Sequence, residues 1–185
     1  MTPRRIAYAD PPYIGQAKKH YSHDPLCAEV DHAALIEQLA EYDGWALSMS
    51  AAMYSLKEII ALAPDDCRVA AWVKPFASFK KGVDPAYTWE PILFKTCRKW
   101  DKGQNTVRDH ISEPITMKKG LAGAKPEKFC FWLFELLGCS PDDELTDLFP
   151  GTGIISQSWE IWKARKLKLP VVVPLFPNPV AVGEK

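Results

Sequence analysis

The chain has 185 residues, 47% of them hydrophobic and 25% charged, and its 23 Lys and Arg balance 23 Asp and Glu to a net charge of zero. These totals support one domain with a real core, and they exclude a disordered polyelectrolyte and a generic polyanion binder. Five cysteines with no CxxC pair exclude a disulfide framework, and no apolar run reaches bilayer length, so a cytoplasmic protein in a reducing compartment is expected.

In chain order, RIAYA (5–9) reads as a strand, and DHAALIEQLAEY (31–42) as a helix with Asp31 as N-cap and Leu35, Ile36 and Leu39 on one face. GWALSMS (44–50) is the next strand, followed by a helix around MYSLKEIIALA (53–63). CRVAAWVKP (67–75) and YTWEPILFKT (87–96) are two strands whose connection is too short for a crossover helix, which predicts antiparallel pairing. A stretch of nearly thirty residues, 96–124, has no regular pattern, and long loops inside compact domains are commonly functional. It carries Arg98, Lys99, Lys102, Arg108, Lys118 and Lys119, with Lys125 at its end, and reads as a substrate-facing loop. PEKFCFWLFELLG (126–138) is a helix with Pro126 in its first turn and Gly138 as C-cap. ELTDLF (144–149) reads as a buried strand entering PGTG (150–153) and the helix IISQSWEIWKARK (154–166), and LPVVVPLF (169–176) is a last apolar run. Strands alternating with helices predict a single α/β domain over 1–185 with a mostly parallel sheet.

Charge is unevenly spread. Residues 24–66 hold nine acids against Lys57 alone, whereas residues 74–128 hold twelve Lys or Arg against six acids, with Lys18 and Lys19 added near the N-terminus. One face of a neutral protein can therefore be basic. His20, His23, Cys27 and His32 lie close in sequence, but no second paired cluster completes a metal set, and no metal is expected.

Two motifs carry chemistry. In DPPY (10–13), each proline fixes its own φ and holds its predecessor extended, and neither has an N–H. The segment therefore presents the Asp10 carboxylate and bare carbonyl oxygens beside the Tyr13 ring. That set suits a flat substrate that donates hydrogen bonds from one nitrogen, such as the exocyclic amine of a nucleobase. In DLFPGTG (147–153), glycines and a helix N-terminus follow a strand, so backbone can approach a ligand closely. It is neither a Walker loop nor a complete dinucleotide fingerprint.

DPPY early in the chain, W-x-K at Trp72 and Lys74, EPILF (90–94), KPE at 125–127 and DLFPGTG last together resemble the S-adenosylmethionine-dependent amino-methyltransferases of adenine or cytosine. The motif order resembles their circularly permuted β-type DNA enzymes, and the chain is also similar to the RNA adenine methyltransferases. The resemblance implies a permuted Rossmann-like methyltransferase fold with one antiparallel strand, S-adenosylmethionine as cofactor, and nucleic acid as partner. DNA adenine N6 is the first reading, with RNA as the second. It implies Asp10, Pro11, Pro12 and Tyr13 as the catalytic segment. Asp10, Lys125, Asp147, Phe149, Pro150, Gly151, Thr152 and Gly153 are implied around the cofactor, and Lys18, Lys19, Lys74, Lys118 and Lys119 toward nucleic acid. A second copy or a separate specificity subunit is an implied partner, and no membrane. The family also carries an acid after the strand that follows the cofactor helix; LKLPVVVPLFPNP (167–179) has none, and Glu160 is the nearest substitute. That departure keeps open a reading of another class, an inactive methyltransferase-like binding module.

Overall fold

The computed structural model describes residues 2–13, 30–76, 83–100, 106–116 and 125–170. Its elements are β1 (Arg5–Ala9), α1 (His32–Ala40), β2 (Gly44–Ser48), α2 (Met53–Leu62), β3 (Arg68–Val73), β4 (Trp89–Lys95), β5 (His110–Ser112), α3 (Glu127–Leu137), β6 (Glu144–Asp147) and α4 (Ile154–Lys166). The strands form one sheet in the order β5-β3-β4-β2-β1-β6. β1 runs parallel to β2 and β6, β3 parallel to β5, and β4 antiparallel to both β2 and β3.

Central strands are covered on both faces, which is why β2 is buried at every position. On one face, Leu35, Ile36 and Leu39 of α1 and Ile59 of α2 pack on Ala7, Ala9, Trp45, Leu47 and Leu93. On the other, Phe129, Leu133 and Phe134 of α3 and Ile155, Trp159 and Trp162 of α4 pack on Ile6, Tyr8, Ala46, Ile92 and Phe94. Trp159 and Trp162 stack with ring centroids 5.0 Å apart, and Phe134 meets Trp159 edge-on at 5.1 Å, so α3 and α4 are joined by an aromatic seam.

Local signals did what their chemistry requires. Asp31 caps α1 by accepting the amides of Ala33 (3.0 Å) and Ala34 (3.1 Å). Gly138 ends α3 in the left-handed region at φ +73°, a conformation that glycine adopts at least cost. The antiparallel pairing of β3 and β4 is present over Arg68–Val73 and Trp89–Lys95.

Three expectations are corrected. The stretch 96–124 is not wholly irregular, because His110–Ser112 forms β5 beside β3, a pairing set by tertiary contacts rather than by any local alternation. β6 is not a buried strand: Glu144 and Thr146 are exposed, because β6 pairs only with β1 among the described residues and lies at the sheet edge. Pro126 stands at the N-cap of α3, with φ −65° and ψ 147°, rather than inside its first turn. The apolar run 171–176 lies outside the described residues. Among the described residues, no helix is long and apolar enough to cross a membrane, and no cluster of His, Cys, Asp and Glu is arranged to hold a metal ion.

Candidate functional site

The sheet brings the two motifs together. Tyr8 of β1 is in register with Asp147 of β6, and the Leu148 amide donates to the Tyr8 carbonyl at 2.9 Å. DPPY and DLFPGTG, far apart in sequence, therefore leave adjacent parallel strands at the same carboxyl edge, where α/β sheets commonly bind ligands. The antiparallel β4 adds a third contributor. Because it runs the other way, its first residues, Trp89 and Glu90, reach that same edge opposite Val73 and Trp72.

Asp10 meets Lys125 there. The Lys125 ammonium is 3.1 Å from Asp10 Oδ2 and 3.2 Å from Oδ1, and 2.6 Å from Glu90 Oε1. The other Glu90 oxygen takes the Lys74 ammonium, and the Tyr13 hydroxyl donates to the Glu90 carboxylate. Lys125 is only 6% exposed and Glu90 8%, whereas Asp10 keeps 27% of its side chain open. The lysines also lie against an aromatic wall, Lys74 Nζ at 4.7 Å and Lys125 Nζ at 5.3 Å from the Trp72 ring centroid. Trp72 is itself pinned by its indole N–H, which donates to the Glu113 carbonyl at 2.7 Å, just after β5.

Two acids and two lysines make a formally neutral buried cluster, but the acids differ. Burial alone would raise the Glu90 carboxyl, yet Lys125 and Lys74 overcome that and hold it down at about 2. Burial raises Asp10 above its ordinary value, Lys125 compensates only in part, and the Glu90 charge adds to the rise. Burial would lower Lys125, but the two carboxylates more than offset this and its ammonium is held charged. Burial, then the acids nearby, push the Tyr13 and Tyr8 phenols well above their ordinary value, so both stay neutral. Tyr8 shares a 2.9 Å hydrogen bond with Ser48 beneath the cluster.

Beside it, the DLFPGTG turn is built on backbone geometry. Gly151 and Gly153 have φ of +47° and +72°, Gly153 N–H donates to the Pro150 carbonyl at 2.6 Å, and the N-cap of α4 has no side-chain partner. Asp147 Oδ1 accepts the Phe149 amide at 3.2 Å, but its buried Oδ2 has no partner among the described residues. Burial, with a smaller contribution from the charge of Asp10, pushes the Asp147 carboxyl up to about 6. An unpartnered buried acceptor beside an uncapped helix start is a site that a ligand bearing N–H or O–H donors would complete.

The expected residues are therefore distributed as follows. Asp10, Pro11, Pro12, Tyr13, Lys74 and Lys125 converge on one cluster, and Asp147, Gly151 and Gly153 form the adjoining turn. Pro150 and Thr152 are exposed on that turn, and Phe149 is half-buried against the core on the α1 and α2 side. Lys74 is engaged by Glu90 rather than projecting away from the site. Glu160 is exposed and paired with Lys163 at 3.2 Å. Lys18, Lys19, Lys118 and Lys119 lie outside the described residues. Glu90 had not been singled out, although a lone acid in the apolar run WEPILF was a signal available in the sequence.

No protein-family model matches the chain, and no curated protein does either. Among solved structures, the chain is similar to a complex of M1.HpyAVI with SAM, at a TM-score of 0.53 and 13% identity, over 87% of this chain and 79% of that one. It is likewise similar to a structure of M1.HpyAVI described without SAM, at a TM-score of 0.53 and 16% identity, over 87% and 78%. The chain thus shares the α/β fold of those structures.

Proposed function

We propose that this protein transfers a methyl group from S-adenosylmethionine to the exocyclic amine of a nucleobase, adenine N6 in DNA. The observation that carries this reading is the adjacency of DPPY and DLFPGTG on β1 and β6, with the open carboxylate of Asp10 between them and the Lys125–Glu90 pair. Support for the cofactor comes from the turn, where the free oxygen of Asp147 would accept a donor group and the Gly151–Gly153 backbone would lie against the ligand. M1.HpyAVI, which shares the fold, binds SAM. When bound, S-adenosylmethionine supplies an electrophilic methyl group on its sulfonium.

This chain's own residues supply the rest. Asp10, whose oxygens keep unused lone pairs, accepts an N–H of the target amine, and the Pro11 carbonyl accepts the other. Two acceptors hold the nitrogen in one orientation and stabilise the positive charge that it gains. Asp10 is also the nearest carboxylate to which the surplus proton can pass. Tyr13 stacks on the base, and its hydroxyl bond to Glu90 fixes the ring plane before the base arrives. Lys18, Lys19, Lys118 and Lys119 are the cations assigned to the nucleic-acid backbone, and a second copy or specificity subunit would extend the grip.

Transfer of labelled methyl from the cofactor to DNA tests the reading. Asp10→Ala should abolish transfer with the fold intact by circular dichroism, and retained transfer would reject it. Mass analysis of nucleosides from cells expressing the protein should show N6-methyladenine in DNA. Methylcytosine, or methyladenine confined to RNA, would reassign the substrate. Absence of cofactor binding by calorimetry would replace the enzyme with a binding module.

A further inference from the structure

At the opposite edge of the sheet, Cys97 follows β4 and Cys139 follows the C-cap of α3. The Cys97 amide donates to the Leu137 carbonyl at 2.9 Å, and the Cys97 thiol donates to the Gly138 carbonyl at 3.3 Å, which sets its sulfur against the residue next to Cys139. Both are free thiols. The Arg98 guanidinium stands 3.3 Å from Cys97 Sγ and 3.1 Å from the Gly138 carbonyl, and it forks onto both oxygens of Asp143 at 2.5 Å. Asp143 is fully buried and in turn accepts the amides of Arg4 and Ser140, so the arginine beside the sulfur is rigidly placed.

Cys97 is also reachable. A cavity of about 280 Å³ opens onto it, lined by Asp66, Lys95, Thr96, Cys97, Arg98 and Lys99, and three of those six side chains are cationic. Asp66 is held by Lys95 at 2.8 Å. A thiol at the end of a basic cavity, with a guanidinium on one side and a second thiol on the other, has the parts of a peroxide-reactive pair: access, thiolate stabilisation and a resolving partner.

We propose that Cys97 and Cys139 form a redox-modification site, in which hydrogen peroxide oxidises Cys97 and Cys139 resolves it as an intramolecular disulfide. The Cys97 thiol loses its proton, and the thiolate attacks one peroxide oxygen. The O–O bond breaks, Cys97 becomes a sulfenic acid, and the departing hydroxide takes the released proton as water. Cys139 sulfur then attacks Cys97 sulfur; the S–O bond breaks, and hydroxide leaves with the Cys139 proton as a second water. Two thiols are oxidised, one peroxide is reduced, and the atoms balance.

The division of roles follows from the surroundings. The neighbouring Cys139 thiol and the Arg98 charge hold the Cys97 thiol below its ordinary value, with burial and Asp143 opposing. Cys139, half-buried, is raised by the neighbouring Cys97 and by its partial burial. Burial raises Cys67 to about 11 and Cys130 to about 12, so neither competes.

The test is peptide mass mapping of the whole protein after a limited peroxide pulse and alkylation. The expected product is a Cys97–Cys139 cross-linked peptide lacking two hydrogens, with Cys67 and Cys130 still alkylatable and Cys97 lost about ten-fold faster than Cys67. Cys139→Ser should trap a dimedone-reactive sulfenic acid at Cys97, and Cys97→Ser should give none at Cys139. Oxidation spread equally over the cysteines, or both thiols surviving a pulse that oxidises Cys67, overturns the proposal. If either variant fails to fold, the wild-type map decides alone.

Discussion

Replacing Asp147 by asparagine tests the carboxylate whose second oxygen is buried without a partner among the described residues. Asparagine keeps the oxygen that accepts the Phe149 amide, so the turn is retained, and it cannot ionise. The carboxyl is raised from 3.8 to about 6 because burial disfavours its charged form. The folded state thus binds this proton more tightly than the unfolded chain. Its contribution to stability is fully present below about pH 4 and is lost as pH rises through about 6. At roughly 1.4 kcal/mol for each tenfold, the gap amounts to about 3 kcal/mol, and partial solvent access reduces that to roughly 1–2 kcal/mol. Asp147→Asn should therefore be more stable than the wild type at pH 8, with a Tm higher by roughly 2–8 °C for a domain of this size. The difference should shrink toward zero near pH 4. Thermal melts at the two pH values measure this directly. A lower Tm at pH 8, or a shift of equal size at both, would refute the burial argument. Added S-adenosylmethionine should narrow the gap, because the wild type gains about 2.7 kcal/mol at a hundredfold excess over Kd and the variant gains less.

Three further outcomes follow from the same geometry. Lys125→Met leaves Asp10 and Glu90 without their shared cation and should lower stability by about 3–5 kcal/mol in urea titration, with Lys125→Met/Glu90→Gln recovering part of it. A double variant no better than the single one would contradict the charge account. Gly44→Ala places a Cβ 2.6 Å from the Cys97 amide nitrogen, backbone that cannot swing aside, and should destabilise by about 1–3 kcal/mol; a near-neutral denaturation midpoint would show that the strands separate easily. If Asp10 accepts the amine as proposed, it must be ionised, and because burial raises its carboxyl, methyl transfer should fall on acidification at a pH above the ordinary carboxylate range. An acid limb in kcat/KM at or below that range would argue against a buried acceptor.

The sequence revealed most where structure is decided locally. Asp31, Gly138 and the apolar stripe Leu35, Ile36 and Leu39 act within one or two helical turns, and the short β3–β4 connection left antiparallel pairing as the only geometry. β5 was hidden because His110–Ser112 has no alternation of its own and becomes a strand only by lying beside β3. ELTDLF reads as a buried strand, but the exposure of β6 depends on which strands flank it, and periodicity does not encode sheet order. For the site, DPPY and DLFPGTG were visible as motifs, whereas the Asp10–Lys125–Glu90 contact joins three places far apart in the chain. Glu90 enters it only because β4 runs backwards and delivers its first residues to the carboxyl edge of its neighbours.

The difference between the two acids on Lys125 decides which of them can exchange partners. Glu90 is held by Lys125, Lys74 and the Tyr13 hydroxyl, and at about 2 it stays ionised through any pH at which the protein would work. Among the described residues Asp10 holds Lys125, at 3.1 and 3.2 Å, and it retains solvent access. When an amine donor approaches Asp10, Lys125 can lean on Glu90 at 2.6 Å without losing a counterion, so no unpaired charge is left buried. Had both carboxylates shared the lysine equally, engaging a substrate would have broken a buried ion pair, at several kcal/mol. Environments that push two carboxylates apart in this way separate an acid that reacts from an acid that holds the scaffold, and under the proposed function Asp10 is the former and Glu90 the latter.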